Sequence, residues 1–163
     1  MRAVVWLVEG TWEACVDAAR ELRLDDVRLV HARDEQTEAG WEGGPLGLMG
    51  RGRRGRGGPS ATALDVAATR LLDEASRRFG ADAQRVELTG RTETAVLDAC
   101  AGADLLVCAR DGVRTERGPR SLSKVTRYVV DHAPCAVLLV WPEEVPAGVD
   151  LPPAPQPPHQ PAT

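Results

Sequence analysis

Apolar residues along this chain fall into five short runs, separated by stretches in which they recur at helical spacing. Residues 3–8 (AVVWLV), 27–32 (VRLVHA) and 86–89 (VELT) predict three strands; 105–108 (LLVC) and 136–140 (AVLLV) predict two more. The last two runs do not alternate with polar positions, which predicts strands covered on both faces, as in a parallel sheet. Between the first and second runs, Cys15, Ala18, Ala19 and Leu22 make an apolar stripe, with Thr11 placed to cap the helix. Over 60–79, Leu64, Ala67, Ala68, Leu71, Ala75 and Phe79 form a longer stripe, opened by Ser60 and stopped by Gly80. Residues 92–100 predict a third helix, with Val96, Ala99, Cys100 and Ala103 at helical spacing. Val125, Tyr128, Val129 and His132 fall at i, i+3, i+4 and i+7 and predict the inward face of the last helix. Pro134 ends that helix, since proline lacks an N–H and pushes its predecessor towards extended geometry.

Strands alternating with helices predict an α/β fold: a single doubly wound, five-stranded parallel sheet with helices on both faces, Rossmann-like in outline. Parallel crossovers are right-handed, and such sheets bind ligands at the carboxyl ends of their strands. The loop after the fourth strand is therefore the place to look for function. A chain of 163 residues suggests one domain, here 1–142. Within it, 33–59 carries nine glycines and no sustained periodicity, and predicts a flexible loop. Residues 143–163 hold seven prolines and predict a disordered or polyproline tail.

Composition narrows the chemistry. Aromatic residues make up 4% of the chain, so the core is expected to be aliphatic and alanine-rich. A net charge of −4 argues against nucleic-acid binding by overall field. Cys15, Cys100, Cys108 and Cys135 form no C-x-x-C pair and read as small buried hydrophobes. No run has membrane-spanning length, and the first apolar run, closed by Glu9, is too short for a signal peptide; a cytoplasmic protein is expected. No metal-ligand spacing, carboxylate pair or nucleophile–base pair is visible, so rapid catalysis is not expected.

Two segments carry a family resemblance. VTRYVVDHAPCAVLLVW at 125–141 is similar to the last helix and strand of the universal stress proteins, and LLVCARDG at 105–112 resembles their L-V-V-x-G-x-x-G. The resemblance spans about residues 2–142. It implies the adenine-nucleotide-hydrolase-like UspA fold and a stress-response role. It also implies binding of ATP or a related adenine nucleotide with at most slow hydrolysis, Mg²⁺ carried by the nucleotide, coupling to an unknown protein partner, and a homodimer through strand five. In the ATP-binding branch the loop reads G-x2-G-x9-G-[S/T]; glycines let backbone approach phosphates, and helix N-terminal amides bind them. Here the first glycine corresponds to Ala109, the second to Gly112, and the final pair to Ser123 and Lys124, with Val125 next in the same turn. The interval from Gly112 to Ser123 is one residue longer than the pattern. The family's acidic residue after strand one corresponds to Glu9, the residue ending strand two to Ala32, and the hydrophobic residue before the first glycine to Cys108.

Each of these residues also has a plainer reading. Lys124, the chain's one lysine, can contact phosphate or be a solvated first-turn residue. Glu9 can be a ligand carboxylate or a turn residue near a helix start. His31 and His132 read as packing residues. Arg51, Arg53, Arg54 and Arg56 alternate with glycines; they can form a solvated loop, close over phosphates, or bind RNA as an arginine–glycine tract, though no aromatic interleaves them. The alternative to nucleotide binding is a ligand-free dimeric interaction scaffold of the same family, whose non-ATP-binding branch loses motif glycines in this way.

Overall fold

The computed structural model describes residues 1–24, 26–33, 61–80, 83–112 and 121–142, with the backbone alone described at 61 and 62. The elements alternate as expected: β1 (Arg2–Trp6), α1 (Trp12–Glu21), β2 (Asp26–Arg33), α2 (Ala61–Phe79), β3 (Gln84–Thr89), α3 (Thr92–Ala99), β4 (Leu105–Ala109), α4 (Lys124–His132) and β5 (Ala136–Val140). All pairings are parallel, in the order β3-β2-β1-β4-β5. The sheet is doubly wound: from β1 the chain runs outward to β2 and β3, then returns to place β4 and β5 on β1's other side.

The period of two along a strand divides the core between the sheet's faces. Ala3, Val5 and Leu7, with Leu29, Val107 and Ala109, pack against Cys15, Val16 and Ala19 of α1 and Leu71, Leu72 and Ala75 of α2. Val4 and Trp6, with Val30, Leu106 and Cys108, pack against Val96 of α3, Cys100 and Val129 of α4. One aliphatic core thus lies on each side of β1 and β4.

Several local expectations are corrected. Thr11 occupies the N-cap position of α1, but its side chain makes no capping bond; its hydroxyl donates to the Val8 carbonyl (3.2 Å). Leu22 is 50% exposed at the end of α1, and Val16 takes its place in the buried stripe. In α4, Tyr128 is 47% exposed and His132 is exposed, so neither lies on the inward face. Their rings stack at 4.1 Å on the outer surface instead. The inward residues are Val129 and Thr126, which the apolar pattern passed over because threonine's hydroxyl finds an internal acceptor. β5 is only partly buried because it is the sheet edge, yet both its faces are packed: Leu138 and Val140 lie against one core, Val137 and Leu139 against the other. The two helix stops hold: Gly80 adopts φ +122°, open to glycine at no steric cost, and Ala133 is extended (ψ 130°) before Pro134. Ser60, the expected cap of α2, lies outside the described residues, as do most of the 33–59 loop and the 143–163 tail.

Candidate functional site

Strand order reverses between β1 and β4, which makes their carboxyl ends the topological switch point of the sheet. The β1–β4 register runs from Ala3↔Leu105 to Val5↔Val107. Beyond it the two chains diverge, β1 through Val8, Glu9 and Gly10 into α1, and β4 through Arg110, Asp111 and Gly112 towards α4. Gly10 turns with φ +75°. Among the described residues, the buried polar side chains are Thr11, Ser121 and Thr126, all at this end of the sheet.

The loop after β4 is cross-tied by its own side chains. The Asp111 carboxylate accepts from the Ser123 N–H (2.9 Å) and the Thr126 hydroxyl (2.6 Å), so it sits on the N-terminus of α4. Ser123 is the N-cap: its hydroxyl oxygen accepts from the Thr126 N–H (3.1 Å). The Gly112 N–H donates to the Ser121 carbonyl (3.3 Å), and the Arg110 guanidinium donates to the Ser121 hydroxyl. Arg110 also lies 4.6 Å over the Trp141 ring, and its Nε is buried without an acceptor. Of the four first-turn amides, Asp111 takes that of Ser123 and the Ser123 side chain that of Thr126. The amides of Lys124 and Val125 are left as the donors that neither group takes.

The expected site residues are thus partly gathered. Cys108, Ala109, Gly112 and Ser123 lie along one path from β4 to α4. Cys108 is fully buried with its side chain in the α3/α4 core, and burial pushes its thiol up to about 12, helped by Asp111 and Cys100. It can offer a ligand only backbone. Ala109 points its methyl into the opposite core. Glu9 is exposed just past β1. Ala32 is half-buried near the end of β2, on the far side of β1 from β4. Lys124 and Val125 line an open cleft of about 230 Å³ with Arg91, Glu93, Thr94 and Tyr128, between the starts of α3 and α4. Arg51, Arg53, Arg54 and Arg56 lie outside the described residues.

Asp111, Thr126 and Ser121 were not anticipated. Their signal was present: an acidic residue in a strand-to-helix loop, and Ser-x-x-Thr spacing at the helix start. Among the described residues no group of three or more His, Cys, Asp or Glu is arranged to hold a metal. No described helix is long and apolar enough to cross a membrane.

No protein-family model and no curated protein matches the sequence. Solved structures do match. Universal stress protein UspA from Lactobacillus plantarum aligns with TM-score 0.55 at 15% identity, over 85% of this chain and 97% of that one. Hypothetical protein MJ0577, the subject of a structure-based assignment of biochemical function, aligns with TM-score 0.59 at 15% identity, over 85% and 94%. A universal stress protein in complex with cAMP aligns with TM-score 0.55 at 17% identity, over 87% and 98%. With the all-parallel order and the alternating helices, these alignments establish that the chain has the universal stress protein fold.

Proposed function

We propose that this chain is a universal stress protein domain that binds an adenine nucleotide where β1 and β4 diverge. The observation that carries this reading is the switch point itself, with the capped N-terminus of α4 tied through Asp111 to the end of β4. A universal stress protein of this fold is known in complex with cAMP, a ligand with the same chemical parts. The first-turn amides of Lys124 and Val125 supply donors for a phosphate, and the Lys124 ammonium adds charge at the mouth of the adjoining cleft. Asp111 bears on the affinity: its carboxylate already occupies the Ser123 amide, so a phosphate either sits beside it on the next two amides or displaces it. Mg²⁺ is expected to arrive on the phosphates. Occupancy would be coupled to partner binding, as a stress-response module requires.

Calorimetric titration of ATP, ADP and AMP with Mg²⁺ tests this, with Lys124→Ala alongside. Micromolar binding is expected, weakened at least about tenfold, or about 1.4 kcal/mol, by the substitution. No heat and no thermal shift at millimolar nucleotide would overturn it.

A second reading, a dimeric scaffold, is favoured by β5. It ends the strand order with Val137, Leu138, Leu139 and Val140 only partly buried, and an open edge invites pairing with a second copy. Sedimentation and calorimetry together separate the two readings, since a scaffold dimerises without ligand and gives no heat with nucleotide.

A further inference from the structure

On the α3/α4 side of the sheet two cysteines share one hydrophobic cluster. Cys100 caps the C-terminus of α3 and is fully buried, whereas Cys135, directly before β5, is half-buried. Both are free, and Cys135 packs against the buried cluster that holds Cys100, at the amino ends of β4 and β5 where Leu105 pairs with Ala136. The backbone enforces this placement. After α3 the Ala103 N–H donates back to the Cys100 carbonyl (3.0 Å), and the next residue's carbonyl, Asp104, accepts from the Ala136 N–H (3.2 Å). A tight turn thus sets residue 100 against the residue before β5.

A cation stands beside them. Arg28 of β2 donates from Nη2 to the Ala99 carbonyl (2.5 Å), and its buried Nε has no acceptor. Burial pushes the Cys100 thiol up to about 12, with Cys135 adding to the rise, while the Arg28 charge pulls the other way. An incompletely satisfied guanidinium beside a thiol is the kind of neighbour that stabilises a forming thiolate.

We propose that Cys100 and Cys135 form a redox dithiol, closed to an intrachain disulfide by a hydroperoxide. The half-buried Cys135 sulfur attacks one peroxide oxygen; the O–O bond breaks, and Cys135 sulfenic acid forms with release of water (from hydrogen peroxide). The Cys100 sulfur then attacks the Cys135 sulfur and loses its proton to the departing hydroxide, which leaves as a second water. Two thiols lose two electrons in total, and one peroxide is reduced to two waters. Placement of both cysteines in one cluster makes the second step intramolecular and local, so β5 is stapled to the end of α3. The other two cysteines lack this arrangement: Cys15 is buried on the opposite face, and Cys108 is buried within β4.

The test uses the full reduced chain, treated with equimolar hydrogen peroxide, alkylated and mapped by mass spectrometry without reduction. Cleavage on the amino side of Asp104 separates Cys100 from Cys108. The expected result is loss of two of the four thiols, with a disulfide joining the Cys100 and Cys135 peptides. In Cys100→Ser, Cys135 should instead accumulate as sulfenic acid, trapped by dimedone. Four unreacted thiols, a bond from Cys135 to Cys108 or to a second chain, or over-oxidation of Cys135 in the wild type without the Cys100 bond would each overturn the proposal.

Discussion

Asp111→Ala is the sharpest perturbation of the site. The carboxylate accepts two hydrogen bonds, from the Ser123 N–H at 2.9 Å and the Thr126 hydroxyl at 2.6 Å. A hydrogen bond to a charged group contributes about 1.5–3 kcal/mol, and a buried donor left without a partner costs about 1–3 kcal/mol. Thr126 is 1% exposed, so water does not replace the lost acceptor, although the Ser123 hydroxyl remains 3.3 Å away. Ser123 is half-buried, and water can take over its amide in part. The sum is a loss of about 2–3 kcal/mol for Asp111→Ala. Asp111→Asn keeps one carbonyl oxygen and should lose about half as much. Urea unfolding followed by circular dichroism reads this as a midpoint shift on the order of 1 M. A double-mutant cycle with Thr126→Val isolates the hydroxyl–carboxylate bond and should return a coupling of about 1 kcal/mol. A loss below about 0.5 kcal/mol for Asp111→Ala, or equal losses for the alanine and asparagine variants, would refute the cross-tied loop.

Three further outcomes are expected. Leu106→Ala removes a fully buried side chain from the central β4 strand and should cost about 2–5 kcal/mol by chemical denaturation. Arg23 follows α1 with φ +51°, so Arg23→Gly relieves a left-handed strain and should raise stability by about 0.5–1 kcal/mol, seen as a higher melting temperature. Hydrogen bonds from Arg78 Nε (2.7 Å) and Nη2 (2.6 Å) hold the Asp17 carboxyl below its ordinary value, against partial desolvation. That contribution is complete above the unfolded carboxyl's pKa, about 3.9, and is lost as pH falls through the lower folded value. The stability difference between wild type and Asp17→Asn should therefore shrink as denaturation is measured from pH 6 down to pH 2.

Periodicity carried the fold because each strand is short, aliphatic and bounded by turn residues, and because four amphipathic helices alternate with five strands. In two of the places where it failed, a polar group had been taken inside. Thr126 sits on the inward face of α4 because Asp111 receives its hydroxyl, and that rotates Tyr128 and His132 outward. No apolar pattern can register a threonine whose partner is fifteen residues away. Thr11 failed for a related reason: its hydroxyl found the Val8 carbonyl before the amides of α1. The thiol pair was equally hidden, since Cys100 and Cys135 are neighbours only once β4 and α4 have folded between them.

The motif comparison needs the same correction, and the correction changes which residue matters. Set against the pattern the resemblance implies, alanine at 109 and serine at 123 stand where glycines are expected, and lysine at 124 where a hydroxyl residue is expected. In the structure neither of the first two departures obstructs the backbone. Ala109 is a strand residue without positive φ, its methyl directed into the α1/α2 core and away from α4. Ser123 is extended at φ −64°, ψ 168°, a conformation any residue adopts, and it caps α4 as well as a serine can. On the proposed nucleotide reading, the residue that bears on anion binding is the carboxylate of Asp111, between the two positions. Asp111 brings its own negative charge to the helix N-terminus, where the dipole and the Ser123 amide would otherwise face a ligand. A phosphate at that amide must displace an internal anion that is already well bonded, whereas the amides of Lys124 and Val125 carry no such competitor. Affinity for nucleotide should accordingly respond more to substitution at Asp111 than to restoring glycine at 109.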